Sequence, residues 1–229
     1  MSRDYGQYCG LARALDVVGD RWNLLIVRQL LVAPARYGEL RNGLSGVATN
    51  LLTDRLRDLE AAGVLERRLS DDGDAITYAL TEWGAQLREP IEGLIRWSAP
   101  LMIRGPQSDE FRPEWLLLAL PALFAGRVPP DRPATVGIAV DDGIVQLRTT
   151  PTGIDVSMAE GREFDAVLKA EAPIVLGLAA GLLKLDDVAA LVDIDGDASA
   201  LRAFFNASEQ APNPQSVWKC SKSPAEPAP

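Results

Sequence analysis

The sequence predicts an α+β protein in two unlike halves. Three observations carry this. The apolar spacing up to about residue 98 is mostly helical, whereas after residue 133 it alternates in strand fashion. Residues 1–104 hold 13 Arg, no Lys and 14 acids, a net of -1, while residues 105–229 hold 10 bases and 18 acids, a net of -8. Between them, "RGPQSDEFRP" from Arg104 has Gly, two Pro and no period. The expected division is 1–104, a linker at 105–112, a second domain at 113–207, and a Pro-rich tail at 208–229 expected to be disordered.

"YCGLARALDVVG" puts Leu11, Ala14, Leu15 and Val18 on one helical stripe, with Gly19 as the stop. Asp20 can cap "RWNLLIVRQLL", which is apolar nearly all round and so belongs at the centre. Pro34 ends it. "YGELRNGL" is a short helix closed by Gly43 or Gly46. In "TNLLTDRLRDLEAAG", Leu51, Leu52, Leu56 and Leu59 share one arc, and Asn50, Thr53, Asp54 and Arg57 lie opposite, with Thr49 at the N-terminal end. Amides, hydroxyls and a guanidinium are groups able to read base edges. "VLERRL" and "AITYAL" form a hairpin around an Asp-Gly turn, and "TEWGAQLREPIEGLIRW" is a helix capped by Thr81 and bent at Pro90. This order is that of a helix-turn-helix with a wing.

In the second half, "ATVGIAV", "IVQLRTT", "IDVSMAE" and "FDAVLKAE" read as strands, and "VDIDGD" as a returning one. "PEWLLLALPALFAG", broken near Pro121, "PIVLGLAAGLL" and "ASALRAFFNA" read as helices. The expected architecture is an antiparallel sheet with helices on one face.

The chain has no histidine, and its Cys9 and Cys220 are far apart. Histidine-based nucleophile chemistry and Cys/His metal sites are therefore excluded, and no Walker A or Gly-x-Gly-x-x-Gly run is present. No enzyme activity, cofactor or metal is expected. Asp141–Asp142, Asp186–Asp187 and Asp193–Asp195 are read as turn and cap residues rather than a cation site. Cys9 is read as an ordinary thiol, with a redox sensor as the alternative. The apolar runs are too short to span a bilayer, and a cytoplasmic protein with no membrane partner is expected.

Cys9 ahead of "LARALDVVG", "GDRWNLLIVRQLL", "RYGELRNGL", "TNLLTDRLRDLEAAGVLERR" and "YALTEWG" together resemble the HxlR-type winged helix-turn-helix regulators over about residues 8–98. The resemblance implies a homodimer through the first and last helices, and binding to double-stranded DNA. The helix from Thr49 would enter the major groove while Arg67 and Arg68 meet the backbone or minor groove. With the basic groups nearby, the expected DNA-binding set is Arg36, Tyr37, Arg41, Thr49, Asn50, Thr53, Asp54, Arg57, Arg67 and Arg68. Two departures stand out. Ala48 replaces the family's usual capping Ser, with Thr49 the expected substitute, and the hairpin tip is acidic at Asp71, Asp72 and Asp74.

The run from "FDAVLKAE" through "GLLKLDDVAALVDIDGDASALRAFF" resembles the sterol-carrier-protein type of lipid-binding domain. That resemblance implies a hydrophobic small-molecule ligand. The candidate lining residues are Trp115, Leu118, Phe124, Ile138, Val156, Phe164, Leu178 and Leu182, with core packing as the competing role for each. The functional expectation is a DNA-binding transcriptional regulator, controlled by such an effector through the helix after Thr81 and the linker. The alternative is a lipid-carrier or accessory protein whose winged helix binds protein.

Overall fold

A computed structural model describes residues 4–70, 73–127, 132–151, 153–159, 161 and 163–205. The expected disordered tail and two of the three hairpin-tip acids, Asp71 and Asp72, lie outside them.

The first half runs α1 (Gly10–Val18), α2 (Asn23–Val32), α3 (Tyr37–Gly43), α4 (Thr49–Ala61), β1 (Leu65–Leu69), β2 (Ile76–Leu80), α5 (Glu82–Ala85) and α6 (Arg88–Ser98). Helix α2 is the centre the sequence implied: Ile26 and Val27 are fully buried against Leu40, Leu52, Leu56 and Leu59. Asp20 caps the turn before it by accepting from the Trp22 amide at 3.1 Å. The α1 stripe behaves differently. Val18 is buried, but Leu11 and Leu15 face solvent, so that part of the stripe has no cover among the described residues.

β1 and β2 pair antiparallel, Arg67 opposite Tyr78 and Arg68 opposite Thr77. Tyr78 also exchanges two backbone hydrogen bonds with Ala35, which fixes the hairpin to the segment entering α3. The expected single helix after Thr81 is two helices. Thr81 caps α5 as foreseen, its hydroxyl accepting from the Gly84 amide at 3.0 Å. The break falls at Gln86–Leu87, and Pro90 sits in the first turn of α6, where its missing N–H leaves no ladder bond unmade. Position 84 must be glycine, since a Cβ there would lie 1.9 Å from the Val64 carbonyl oxygen.

Short 3-10 segments, Ala99–Arg104 and Pro113–Trp115, lead into α7 (Leu116–Phe124). The second half continues β3 (Thr135–Val140), β4 (Gly143–Thr150), β5 (Gly153–Met158), β6 (Ala166–Lys169), α8 (Ala172–Ala179), a 3-10 helix Leu185–Leu191, β7 (Asp193–Gly196) and α9 (Ala198–Phe205). The sheet order is β5-β4-β3-β6-β7. It is mixed, not antiparallel: β6 returns beside β3 in parallel, Val136 opposite Ala166 and Ile138 opposite Leu168. The chain uses the β4–β5 hairpin as the crossover a parallel neighbour requires. Val136, Ile138, Val145, Leu147 and Leu168 point to one face, where α7, α8 and α9 cover them.

Helix α7 runs through Pro121 without the expected break, because it is packed on two sides. Leu116, Leu120 and Phe124 belong to the sheet core, whereas Leu118 belongs to the core of the first half. The two halves therefore share an element rather than hanging on a free linker. Leu118→Ala should lower stability by about 2–5 kcal/mol. Calorimetry should show one transition shifted downward. Two transitions, only one of which moves, would show that the halves unfold separately.

Candidate nucleic-acid interface

Helix α4 buries Leu52, Leu56 and Leu59 and turns Thr49, Asn50, Asp54 and Arg57 outward, all four exposed. Its N-cap is Ala48, which offers no side-chain cap. Thr49 does not take over that role. It is the first helical residue, and its carbonyl accepts from the Tyr37 hydroxyl and the Thr53 hydroxyl, each at 3.0 Å. Two of the expected reading groups also hold the architecture. Tyr37 ties the start of α3 to the start of α4, and Thr53 bonds back onto its own helix. Among the described residues, the exposed side chains of Thr49, Asn50, Asp54 and Arg57 on this face make no hydrogen bond or ion pair.

Arg36 and Arg41 flank this face from α3. Arg36 opens the helix with its backbone amide on Glu39 Oε2, at 2.6 Å, and its guanidinium is exposed. Among the described residues, the guanidinium groups of Arg36, Arg41 and Arg57 make no ion pair, so nothing competes with a phosphate for them. The wing arginines differ. Arg67 Nε bonds Glu60 Oε1 at 2.8 Å, and that hydrogen bond together with the nearby charge raises the Arg67 pKa. Arg68 Nε bonds Glu66 Oε1 at 2.6 Å. Each wing cation is already partnered within the chain. The third tip acid, Asp74, is exposed.

Sequence reading missed the residues that brace this unit. Ser45 hydrogen-bonds Glu110, Arg112 reaches the Asn42 carbonyl, and Gln29 joins Gly43 to Trp115. The longest of these contacts spans 86 positions, and no local pattern encodes it. Cys9 is exposed at the N-cap of α1, where the backbone N–H groups of Ala12 and Leu11 lower its thiol pKa.

The eight candidate ligand-lining residues do not gather around one space. Ile138 and Leu178 are fully buried in the sheet core. Val156 packs against that core at its edge, and Leu182 is half-buried just beyond α8. Leu118 is in the other core, and Trp115 lies on α2. Phe164 packs over Gly137, on the side of β3 opposite Val136 and Ile138. Phe124 lines a cavity of about 440 Å³ at the β5 edge, with Pro121, Arg127, Arg148, Ile154 and Asp155. Among the described residues, no group of three or more Cys, Asp or Glu is placed to hold a metal, and no helix is long and apolar enough to cross a membrane.

A three-helix unit with an exposed polar-faced helix and a two-stranded hairpin defines the first half as a winged helix-turn-helix. The particular family follows from comparison. The HxlR-like helix-turn-helix family matches residues 17–104. The HTH-type transcriptional regulator YvaP of Bacillus subtilis is 32% identical over 87 residues, 38% of this chain and 81% of the relative. YodB of the same organism is 30% identical over 86 residues, 37% of this chain and 77% of the relative. The chain belongs to the HxlR-like helix-turn-helix family. It spans 62% of the length of the regulator Rv3095 of Mycobacterium tuberculosis, to which it is 39% identical over 99 residues, 42% of this chain. The solved reduced form of YodB aligns with 43% of this chain and 99% of its own, at 27% identity and a TM-score of 0.38.

Freeing the wing cations should strengthen contact with phosphate. Glu60→Gln combined with Glu66→Gln should raise affinity for random duplex and steepen its dependence on log salt by about 1–2 units. A salt titration that leaves the slope unchanged would place the wing away from the backbone.

Proposed function

We propose that the protein is a sequence-specific DNA-binding transcriptional regulator that acts as a homodimer and carries out no catalytic step. The single observation that carries this reading is the α4 face: Asn50 and Arg57 stand free and exposed, between the unpaired arginines of α3 and the hairpin. An amide near the helix start can pair with adenine, while a guanidinium further along suits phosphate or guanine. The acidity of the second half weakens long-range attraction. Contact is nevertheless governed by charge within a Debye length of about 8 Å, where the reading face presents Arg36, Arg41 and Arg57.

The homodimer is supported by apolar surface that the described residues leave uncovered. Tyr8, Leu11 and Leu15 on one side, and Leu94, Trp97, Leu101 and Met102 on α6 and its 3-10 extension, are all exposed, Trp97 at 72% and Leu11 at 68%. Patches of this kind mark interaction sites, and a two-fold pair reads two half-sites about one helical turn apart. Asn50→Ala should relax base preference at one position per half-site by about 1–3 kcal/mol. Arg57→Ala should weaken selected and random duplexes alike and lower the salt slope. Both are measured on duplexes selected from a random pool, with light scattering run alongside. A monomer at micromolar concentration, or equal effects of the two substitutions on both DNAs, would count against this reading.

For the effector, our reading keeps the sterol-carrier-like resemblance of the second half but moves the ligand. The space beside Phe124 and Ile154 also presents Arg127, whose Nη1 is buried without a partner and whose guanidinium lies 5.1 Å from the Phe124 ring. An apolar molecule with an anionic head suits it better than a neutral sterol. In a thermal-shift panel, fatty acids should stabilise the protein and their methyl esters should not. Equal shifts from both would refute the anionic head.

A further inference from the structure

Residues 110–115 grip the turn that precedes the reading helix. The last carbonyls of any helix lack intrahelical donors, and α3 ends at Gly43 with those of Asn42 and Gly43 among them. Arg112 Nη2 donates to the Asn42 carbonyl. Gln29 Nε2 donates to the Gly43 carbonyl at 3.2 Å, while Gln29 Oε1 accepts from the Trp115 indole N–H at 3.1 Å. Glu110 accepts from the Ser45 hydroxyl through one oxygen and from Arg112 Nε, at 2.7 Å, through the other. Between these points Leu44 is buried, and its carbonyl accepts from the Val47 amide one residue before the N-cap of α4.

The grip is anchored rather than draped. The Arg28 guanidinium lies 4.1 Å from the centroid of the Trp115 ring, and burial, with Arg112 nearby, pushes its pKa down to about 10. Leu118, one turn further on, is in the core of the first half. A Cβ at position 43 would lie 1.8 Å from Gln29 Nε2, so a larger residue there would push the Gln29 amide off the Gly43 carbonyl. From Asn42 to Ser45 every residue is thus held by the second half, by Gln29 or by burial. Tyr37 carries the constraint on to the start of α4.

We propose that Glu110, Arg112 and Trp115 are positioning residues for DNA reading, so that the second half sets the pose of α4 on its operator. This rests on the DNA-binding reading above. It makes a counter-intuitive demand on charge. Removing an acid from a DNA-binding surface ordinarily strengthens binding. If Glu110 positions the turn, its loss weakens specific binding instead.

The test uses the full-length protein and duplexes selected from a random pool. Glu110→Ala and Arg112→Ala should each weaken binding to the selected duplex by about fivefold, the order of one lost hydrogen bond. Binding to random duplex should not fall in Glu110→Ala. In Arg112→Ala the salt slope on the selected duplex should hold, since a phosphate contact would lower it. Arg112→Lys, which keeps a donor for the Asn42 carbonyl, should recover part of the loss. Hydrogen exchange at the amides of residues 44–52 should quicken in both alanine variants while the core strands of the sheet stay protected. Unchanged or tighter selected binding by Glu110→Ala with unchanged exchange overturns the proposal and leaves the DNA reading intact. A wild-type protein that selects no duplex removes the DNA reading, and the proposal with it.

Discussion

The burial of α7 on two sides is the constraint on which the rest of the structure depends. Leu116, Leu120 and Phe124 close the inner face of the sheet, and Leu118 plugs the helical core from outside. Apolar area removed from water on both sides outweighs what Pro121 costs in backbone hydrogen bonding. With α7 fixed, the segment just before it has no freedom to act as a tether, and Glu110, Arg112 and Trp115 are delivered to α2 and to the end of α3. The rest of the chain before α7 then follows from covering α2.

Charge is partitioned to match. The net negative charge sits in the second half, where 18 acids outnumber 10 bases, and the first half, with 14 acids against 13 bases, uses arginine alone as its cation. Within the first half a further division appears. Among the described residues Arg36, Arg41 and Arg57 make no ion pair, whereas Arg55 is paired with Asp20 and Asp58, and Arg67 and Arg68 with Glu60 and Glu66. On the proposed DNA-binding reading, such an arrangement would keep indiscriminate attraction to nucleic acid low while leaving the reading face uncommitted.

Much of the first half was legible because its signals are local. The Thr81 cap, the burial of α2, the hairpin and the polar face of α4 each follow from residues within a few positions of one another. The misreadings share a cause, which is dependence on distant contacts. Period-2 alternation identifies a strand but not its neighbour, so the parallel pairing of β3 with β6 was invisible. The internal hydrogen bonds of Thr53 and Tyr37 to the start of α4 were likewise invisible, because sequence shows a hydroxyl without its acceptor. Leu11 and Leu15 were legible as a stripe, but not as one that no other described residue covers. The ligand-lining set scattered because buried leucines in a core and in a cavity wall have the same spacing, and because Gly137 lets Phe164 settle on the opposite side of the sheet.

The parallel pairing of β3 with β6 bears on how the molecule is made. A chain leaving the ribosome N-terminus first releases every residue of the winged unit, and Leu118 with it, before β3 appears. The central ladder of the sheet must then wait for Ala166–Lys169, some thirty residues after Thr135. Until then β3 carries an open edge, and α7 has its first-half partner but not its second. Long-range pairings of this kind close slowly and leave strand edges exposed to neighbouring nascent chains. Ribosome pausing within residues 140–165 would lengthen that exposure, so translation speed there bears directly on the yield of soluble protein.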